Sequence, residues 1–269
     1  MPSVSASGEA RVALLGGIGE NIGLATAQRW RRAGMNLAIT DLREDVLAQV
    51  RRRLADEPGS GGLLALSGDV TSDEDCQSWI DRTLEEFGRL DVAVCLIGRS
   101  SFGGVLEMST QLFEQEIRTT LVGQFVFARL AARAMVAAGN GGRIILLGSG
   151  AAERARRGGV SHSAAKAGVV MMAKVMALEL GEHGITVNVV SPGLVPRPGH
   201  VSTSDYRESV RRSLPLGRLG SGDDVAGAID FLGGEDARWI TGTVVTVDGG
   251  SSAGNAAAPG HTPTPTSVF

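Results

Sequence analysis

Arg11-Val12-Ala13-Leu14-Leu15-Gly16-Gly17-Ile18-Gly19-Glu20-Asn21-Ile22-Gly23 is the stretch on which the fold turns. Its first five residues are a short apolar run suited to a buried strand, and Leu24 to Ala33 suits a helix. A strand that passes through glycines into a helix aims backbone N–H groups and the positive helix end at one point, a good seat for a phosphate. By itself the motif is weak, because a flexible turn has the same composition. The pattern around it has to decide.

The next strand is expected at Asn36 to Thr40, ending at Asp41, eighteen residues after Gly23. A carboxylate there can accept hydrogen bonds from both hydroxyls of an adenosine ribose and repels a 2′-phosphate, which points to NAD. Arg43 keeps NADP open, since an arginine can accommodate that phosphate. Asp41 is also placed to cap a helix over 44–54. The alternation then repeats. Strands are expected at 63–67, 91–97, 143–149, 185–190 and 243–247. Helices are expected from a Thr71-Ser72-Asp73-Glu74 capping box to Gly88, over 109–138, over 161–184, around 205–212 and over 223–232. Strands alternating with helices predict a seven-stranded parallel sheet covered on both faces, an α/β doubly wound single domain over residues 9–250. Residues 1–8 read as a flexible tail, 196–220 as a polar substrate-binding segment, and 251–269 as a disordered tail rich in Ala, Gly, Pro and Thr.

Bulk properties exclude several classes. A chain of 269 residues with 43% hydrophobic content can bury a large core, and a net charge of −3 gives no reason to expect nucleic acid or an anionic membrane. No apolar run reaches the length of a membrane span, and the N-terminus lacks the features of a secretory signal. Cys76 and Cys95 make neither a metal-ligand spacing nor a disulfide framework, so a cytoplasmic setting is the expectation. The histidines 162, 183, 200 and 261 are scattered, and no metal site is expected.

Two further stretches carry a resemblance. Val187-Asn188-Val189-Val190-Ser191-Pro192-Gly193 and Trp239-Ile240-Thr241-Gly242-Thr243-Val244-Val245-Thr246-Val247-Asp248-Gly249-Gly250, with the glycine turn, resemble the short-chain dehydrogenases/reductases of Rossmann type. The resemblance covers about residues 9 to 250 and implies an oxidoreductase that moves hydride between a nicotinamide and an alcohol/ketone pair. Carried over position by position, it is uneven. Gly17 and Gly23 of the glycine motif are kept, while Gly16 stands at its threonine and Asn21 at its second glycine. Asp41 and Asp69-Val70 are kept. Cys95-Leu96-Ile97-Gly98 retains only the glycine of an Asn-Asn-Ala-Gly sequence. Thr120 stands at the tetrad asparagine, and Arg197 at the threonine that holds the nicotinamide amide. Ser149 is kept at the family's spacing, and the Tyr-x-x-x-Lys motif reads His162-x-x-x-Lys166. The resemblance therefore implies Ser149, His162, Lys166 and Thr120 as the catalytic set. It implies a cofactor site built from Gly17, Gly19, Asn21, Ile22, Gly23, Asp41, Leu42, Asp69, Val70, Gly98, Lys166, Pro192, Gly193 and Val195.

Losses concentrate around the reacting carbons, while the positions for adenine, ribose and phosphate are mostly retained. In the family, lysine assists the tyrosine and binds the nicotinamide ribose, and serine polarises the substrate oxygen. Imidazole titrates near neutral pH unaided, so a histidine can deprotonate an alcohol or a carbon acid beside a carbonyl. Three functions follow: an NAD-preferring oxidoreductase using His162 as acid/base; a non-redox lyase, isomerase or cyclase using it as base; and an inactive partner subunit. A histidine merely bonded to Ser149 or to a backbone carbonyl is the bland alternative. Arg154, Arg156 and Arg157 can clamp an acidic or polyoxygenated small-molecule substrate, or simply be solvated. Tyr206, the sole tyrosine, suits surface packing. Ala131, Ala132, Met171, Met172 and Ala173 lie on the helices that pair subunits in this family, so a homotetramer or homodimer is expected.

Overall fold

The computed structural model describes residues 10–59, 61–196 and 203–254. Arg197 and His200, and most of the two expected tails, lie outside these residues. Seven parallel strands form one sheet in the order β3-β2-β1-β4-β5-β6-β7. They are β1 (Val12–Gly16), β2 (Asn36–Asp41), β3 (Leu63–Ser67), β4 (Val92–Cys95), β5 (Gly142–Leu147), β6 (Ile185–Pro192) and β7 (Val244–Val247). The chain leaves β1 toward β2 and β3, then returns to place β4 on the other side of β1. The crevice beyond the carboxyl ends of β1 and β4 is the switch point where such sheets bind ligands.

Alternation along each strand divides the core in two. Ala13 and Leu15 of β1, with Val92 and Val94 of β4, face a cluster completed by Trp30, Val50, Val225 and Ile229. Leu14, Ala93 and Cys95 face the opposite cluster, completed by Trp79, Phe127, Met135 and Val169. Helices α1 (Ile22–Arg32), α2 (Glu44–Ala55) and α8 (Gly222–Gly233) close the first face. Helices α3 (Asp73–Phe87), α4 (Thr110–Ile117), α5 (Gly123–Ala138) and α6 (Val160–Leu180) lie on the other side, and α7 (Ser204–Ser213) follows the undescribed 197–202. Two buried faces on a parallel sheet explain why the strands read as continuous apolar runs.

Several expectations are corrected. The helix expected over 109–138 contains a π-helical turn at Arg118–Val122 between α4 and α5, a distortion that frequently marks functional sites. By length and composition residues 110–138 pass as a membrane span, but half of the relevant window is buried, as in a core helix. Strand β5 stops at Leu147, and Ser149 instead caps the short turn Gly150–Ala152 by accepting from Ala151 N at 3.2 Å. Asp41 is not a helix cap: position 43 holds that place without a side-chain bond. Ser72 caps α3, but Asp75 accepts from Asp69 N at 2.7 Å instead of closing a reciprocal box. The reciprocal box stands at Ser221 and Asp224, on α8. Ala131, Ala132 and Ala173 are packed inside the protomer, and the exposed large apolar residues of α5 and α6 are Phe125, Val160, Met171, Val175 and Leu178.

Candidate active site

The glycine turn comes first in the chain and is fixed mainly by sterics. Gly17 has φ +69°, and a Cβ there would lie 2.2 Å from Cγ1 of Ile97, so the turn passes hard against the segment after β4. Asp41, at the end of β2, accepts from Gly19 N at 3.1 Å and from Arg43 N at 3.1 Å, tying the turn to the second strand. Asn21 donates to the carbonyl of Pro196 at 2.6 Å, which brings the segment after β6 to the same end of the sheet. Asn21 is also the N-cap residue of α1, and its side chain makes no capping bond. The first N–H groups of α1 therefore keep their capacity for an anion. Asp69 accepts from Thr71 N at 2.8 Å, and Val70 is buried. Leu42 is exposed. Gly193 donates to Val247 O at 3.0 Å and sits too close to Asp248 for a side chain, which fixes the path through Pro192 and Val195. These residues fit a dinucleotide: a glycine cradle at a helix start, a carboxylate at the second strand end, and a backbone wall after the sixth strand.

The second cluster lies where β4 and β5 end. Lys166, on α6, is 2% exposed and donates to Leu147 O at 2.6 Å. Burial pulls its ammonium down to about 8, against smaller opposing effects of Cys95 and Glu116. Gly98 lies against this ammonium: a Cβ there would come within 3.0 Å of Lys166 Nζ, a tight contact. Burial likewise pushes the Cys95 thiol up to about 12, so it stays protonated and inert.

Arg99 connects the remaining groups through its backbone. Its N–H donates to Thr120 Oγ1 at 3.0 Å, and its carbonyl faces His162 Nδ1 at 3.0 Å. Thr120 thus packs as expected of a helix residue and also holds the loop after β4. Glu116, one helical turn before Thr120, is fully buried, with Oε1 3.0 Å from the same His162 Nδ1. Its Oε2 accepts from Ser101 N at 2.8 Å and from Ser161 Oγ at 3.0 Å. Two donors on Oε2 and the imidazole beside Oε1 give both oxygens of this buried group a partner. His162 is not bonded to Ser149, but the backbone-carbonyl contact of the bland alternative is present at Arg99, together with a carboxylate contact not foreseen.

Sequence reading missed Glu116 and Gln124. Gln124 is fully buried and donates to the carbonyls of Ile97 and Leu147 at 3.0 and 3.2 Å, clamping the ends of β4 and β5. The spacing was present: Glu116, Thr120 and Gln124 recur every fourth residue, and all three are fully buried, so they form one buried polar stripe among the exposed polar residues of the same segment. The arginine loop is only partly engaged in the described structure. Arg156 lies between the rings of Phe102 and Tyr206, 4.8 and 5.1 Å from their centroids, and Arg154 donates to Ser251 O. Tyr206 has the packing role expected of it.

Comparison with known proteins agrees with this fold. A family model described as enoyl-(acyl carrier protein) reductase matches residues 17–252. A short-chain dehydrogenase/reductase of Armillaria gallica is 33% identical over 258 residues, covering 93% of this chain and 98% of that protein. The L-rhamnose 1-dehydrogenase (NAD(P)+) of a Sphingomonas strain is 31% identical, covering 90% and 96%. A crystal structure of a short-chain type dehydrogenase/reductase from Mycobacterium marinum superposes with a TM-score of 0.83 at 31% identity, covering 91% and 96%.

Proposed function

The chain belongs to the short-chain dehydrogenase/reductase family and is an oxidoreductase of that kind. From that premise we propose that it uses NAD to interconvert a small alcohol and its ketone, with His162 in the tyrosine's place as acid/base. Ser149 serves as ligand to the substrate oxygen, and Lys166 holds the nicotinamide ribose. The observation that carries the reading is the fixed imidazole of His162, oriented by Glu116 and Arg99 on the same helix as the buried Lys166.

When bound, the nicotinamide supplies or accepts the hydride; the protein's part is orientation and the proton. In alcohol oxidation His162 takes the hydroxyl proton, and in ketone reduction it returns one to the oxygen. Ser149 donates a hydrogen bond to that oxygen as negative charge develops on it. Thr120 and Gln124 act through the backbone, holding the loop after β4 and the ends of β4 and β5.

Gly17, Gly19, Asn21, Ile22 and Gly23 would cradle the pyrophosphate, Asp41 and Leu42 the adenosine ribose, and Asp69 and Val70 the adenine. Gly98, Lys166, Pro192, Gly193 and Val195 would line the nicotinamide half. Preference for NAD is supported by Asp41 and by the engagement of Arg43 with Asp45 at 2.6 Å; NADP is the second choice. The arginine loop suits an acidic or polyoxygenated substrate. Exposed Phe125, Met171, Val175 and Leu178 suit a homodimer or homotetramer, and two buried unpaired thiols suit a reducing cytoplasm.

Titration with NADH, followed by nicotinamide fluorescence, tests the cofactor site; no change in signal sinks the redox reading. With a sugar and oxoacid panel, His162→Ala is expected to lower kcat by about 10²–10⁴. Unchanged activity removes the histidine from the mechanism. NADH binding without absorbance loss on any carbonyl favours the lyase, isomerase or cyclase reading.

A further inference from the structure

We propose that Glu116 is a positioning residue for His162, fixing the neutral imidazole with its proton on Nδ1 and its basic lone pair on Nε2. The inference rests on the acid/base reading of His162, which it deepens by assigning the atom that exchanges the proton.

The tautomer follows from the partners. Nδ1 faces two oxygens at 3.0 Å: the Arg99 carbonyl, which can only accept, and Oε1 of Glu116. Oε2 of Glu116 already accepts from a backbone N–H and a serine hydroxyl, as an ionised carboxylate does. Nδ1 is therefore the donor to both acceptors, and a neutral ring carries its lone pair on Nε2. Nε2 is hydrogen-bonded to no described residue, and 15% of the side chain remains exposed. The nitrogen left to meet a substrate is thus the basic one. Glu116 itself is fully buried and cannot meet solvent or substrate, so it acts only through the ring. When His162 takes a proton, the carboxylate beside Nδ1 balances the new charge at short range.

The arrangement makes Glu116→Gln informative. The Ser101 N–H is a fixed backbone donor, so it claims the amide oxygen. The amide NH₂ then turns toward Nδ1, which must become an acceptor, and the ring proton moves to Nε2. An amide in place of the carboxylate behind a catalytic histidine costs about 10⁴ in kcat in a serine protease, for the same tautomeric reason.

The test is ¹⁵N NMR of the full chain with labelled histidine, the His162 signals being assigned by their loss in His162→Gln. In the neutral ring of the wild type, the pyrrole-type signal is expected at Nδ1 and the pyridine-type signal at Nε2. A proton on Nε2 in the wild type overturns the proposal, whatever any variant does. In Glu116→Gln the two signals are expected to exchange, with kcat down about a hundredfold or more and KM little changed. Ser161→Ala removes a donor to the far oxygen and is expected to leave the tautomer in place. If His162→Ala is inactive while Glu116→Gln keeps its tautomer or stays within about threefold of wild-type kcat, the positioning role alone falls. If His162→Ala keeps full turnover, the acid/base reading falls and takes the positioning role with it.

Discussion

The two halves of the cleft are built differently. At the glycine turn, the main constraint is steric: Gly17 cannot carry a side chain against Ile97, and Asp41 reaches Gly19 across one strand pairing. At the reaction end, constraints are polar and buried. His162 meets Arg99 and Glu116, 63 and 46 residues away, and Lys166 meets Leu147. The first design tolerates change at any position where glycine or a carboxylate is not required. The second makes each buried polar group depend on the others, because an unpaired donor or acceptor there loses its partner without regaining water.

Three substitutions sharpen this contrast. The largest stability effect is expected at the steric end. Gly17→Val combines a positive φ with a Cβ driven into Ile97, and should destabilise by about 4 kcal/mol, read by urea unfolding. A loss under about 1 kcal/mol would show that the turn is not sterically set.

At the polar end the sign reverses. Lys166 has its ammonium lowered by burial from 10.5 to about 8, so below pH 8 the folded protein carries a buried charge that the unfolded chain solvates. Wild-type stability should rise with pH between about 8 and 10.5, where the unfolded state binds the extra proton. A shift of that size is worth about 3 kcal/mol below pH 8, from which the hydrogen bond to Leu147 O subtracts about 1. Lys166→Met should therefore lose turnover yet gain about 2 kcal/mol at neutral pH, the gain vanishing at about pH 10 and giving way to a loss of about 1 kcal/mol above pH 10.5. Equal Tm values for the two proteins at all pH values would break the comparison.

The smallest effect is at Asp41. Asp41→Ser should raise the NADPH/NADH affinity ratio by about tenfold, or about 1.4 kcal/mol, in paired fluorescence titrations. No change would place the ribose elsewhere.

How much of this was legible depended on the range of the interaction. The strand alternation, the glycine turn and the carboxylate at Asp41 are written in neighbouring residues, and they predict the parallel sheet and the crevice past its strand ends. Ser149 was found with its spacing but not its setting, because the end of β5 depends on pairing with β6. The π turn around Thr120 was invisible to helical periodicity, which continues on both sides of it. In the sequence Glu116 is one of two carboxylates within three residues, and only its every-fourth-residue relation to Thr120 and Gln124 marks it for a buried stripe.

By itself, then, the sequence determined the doubly wound architecture, the family and the residues gathered past the strand ends. Hydrophobic periodicity and turn chemistry are local properties, and a parallel sheet leaves little choice of topology once they are known. Only the tertiary structure decided which groups hold the imidazole. That choice depends on which buried donors and acceptors meet across three separate segments, the loop after β4, α4 and α6. A hydrogen bond of 3.0 Å between residues 46 apart has no signature in the order of either.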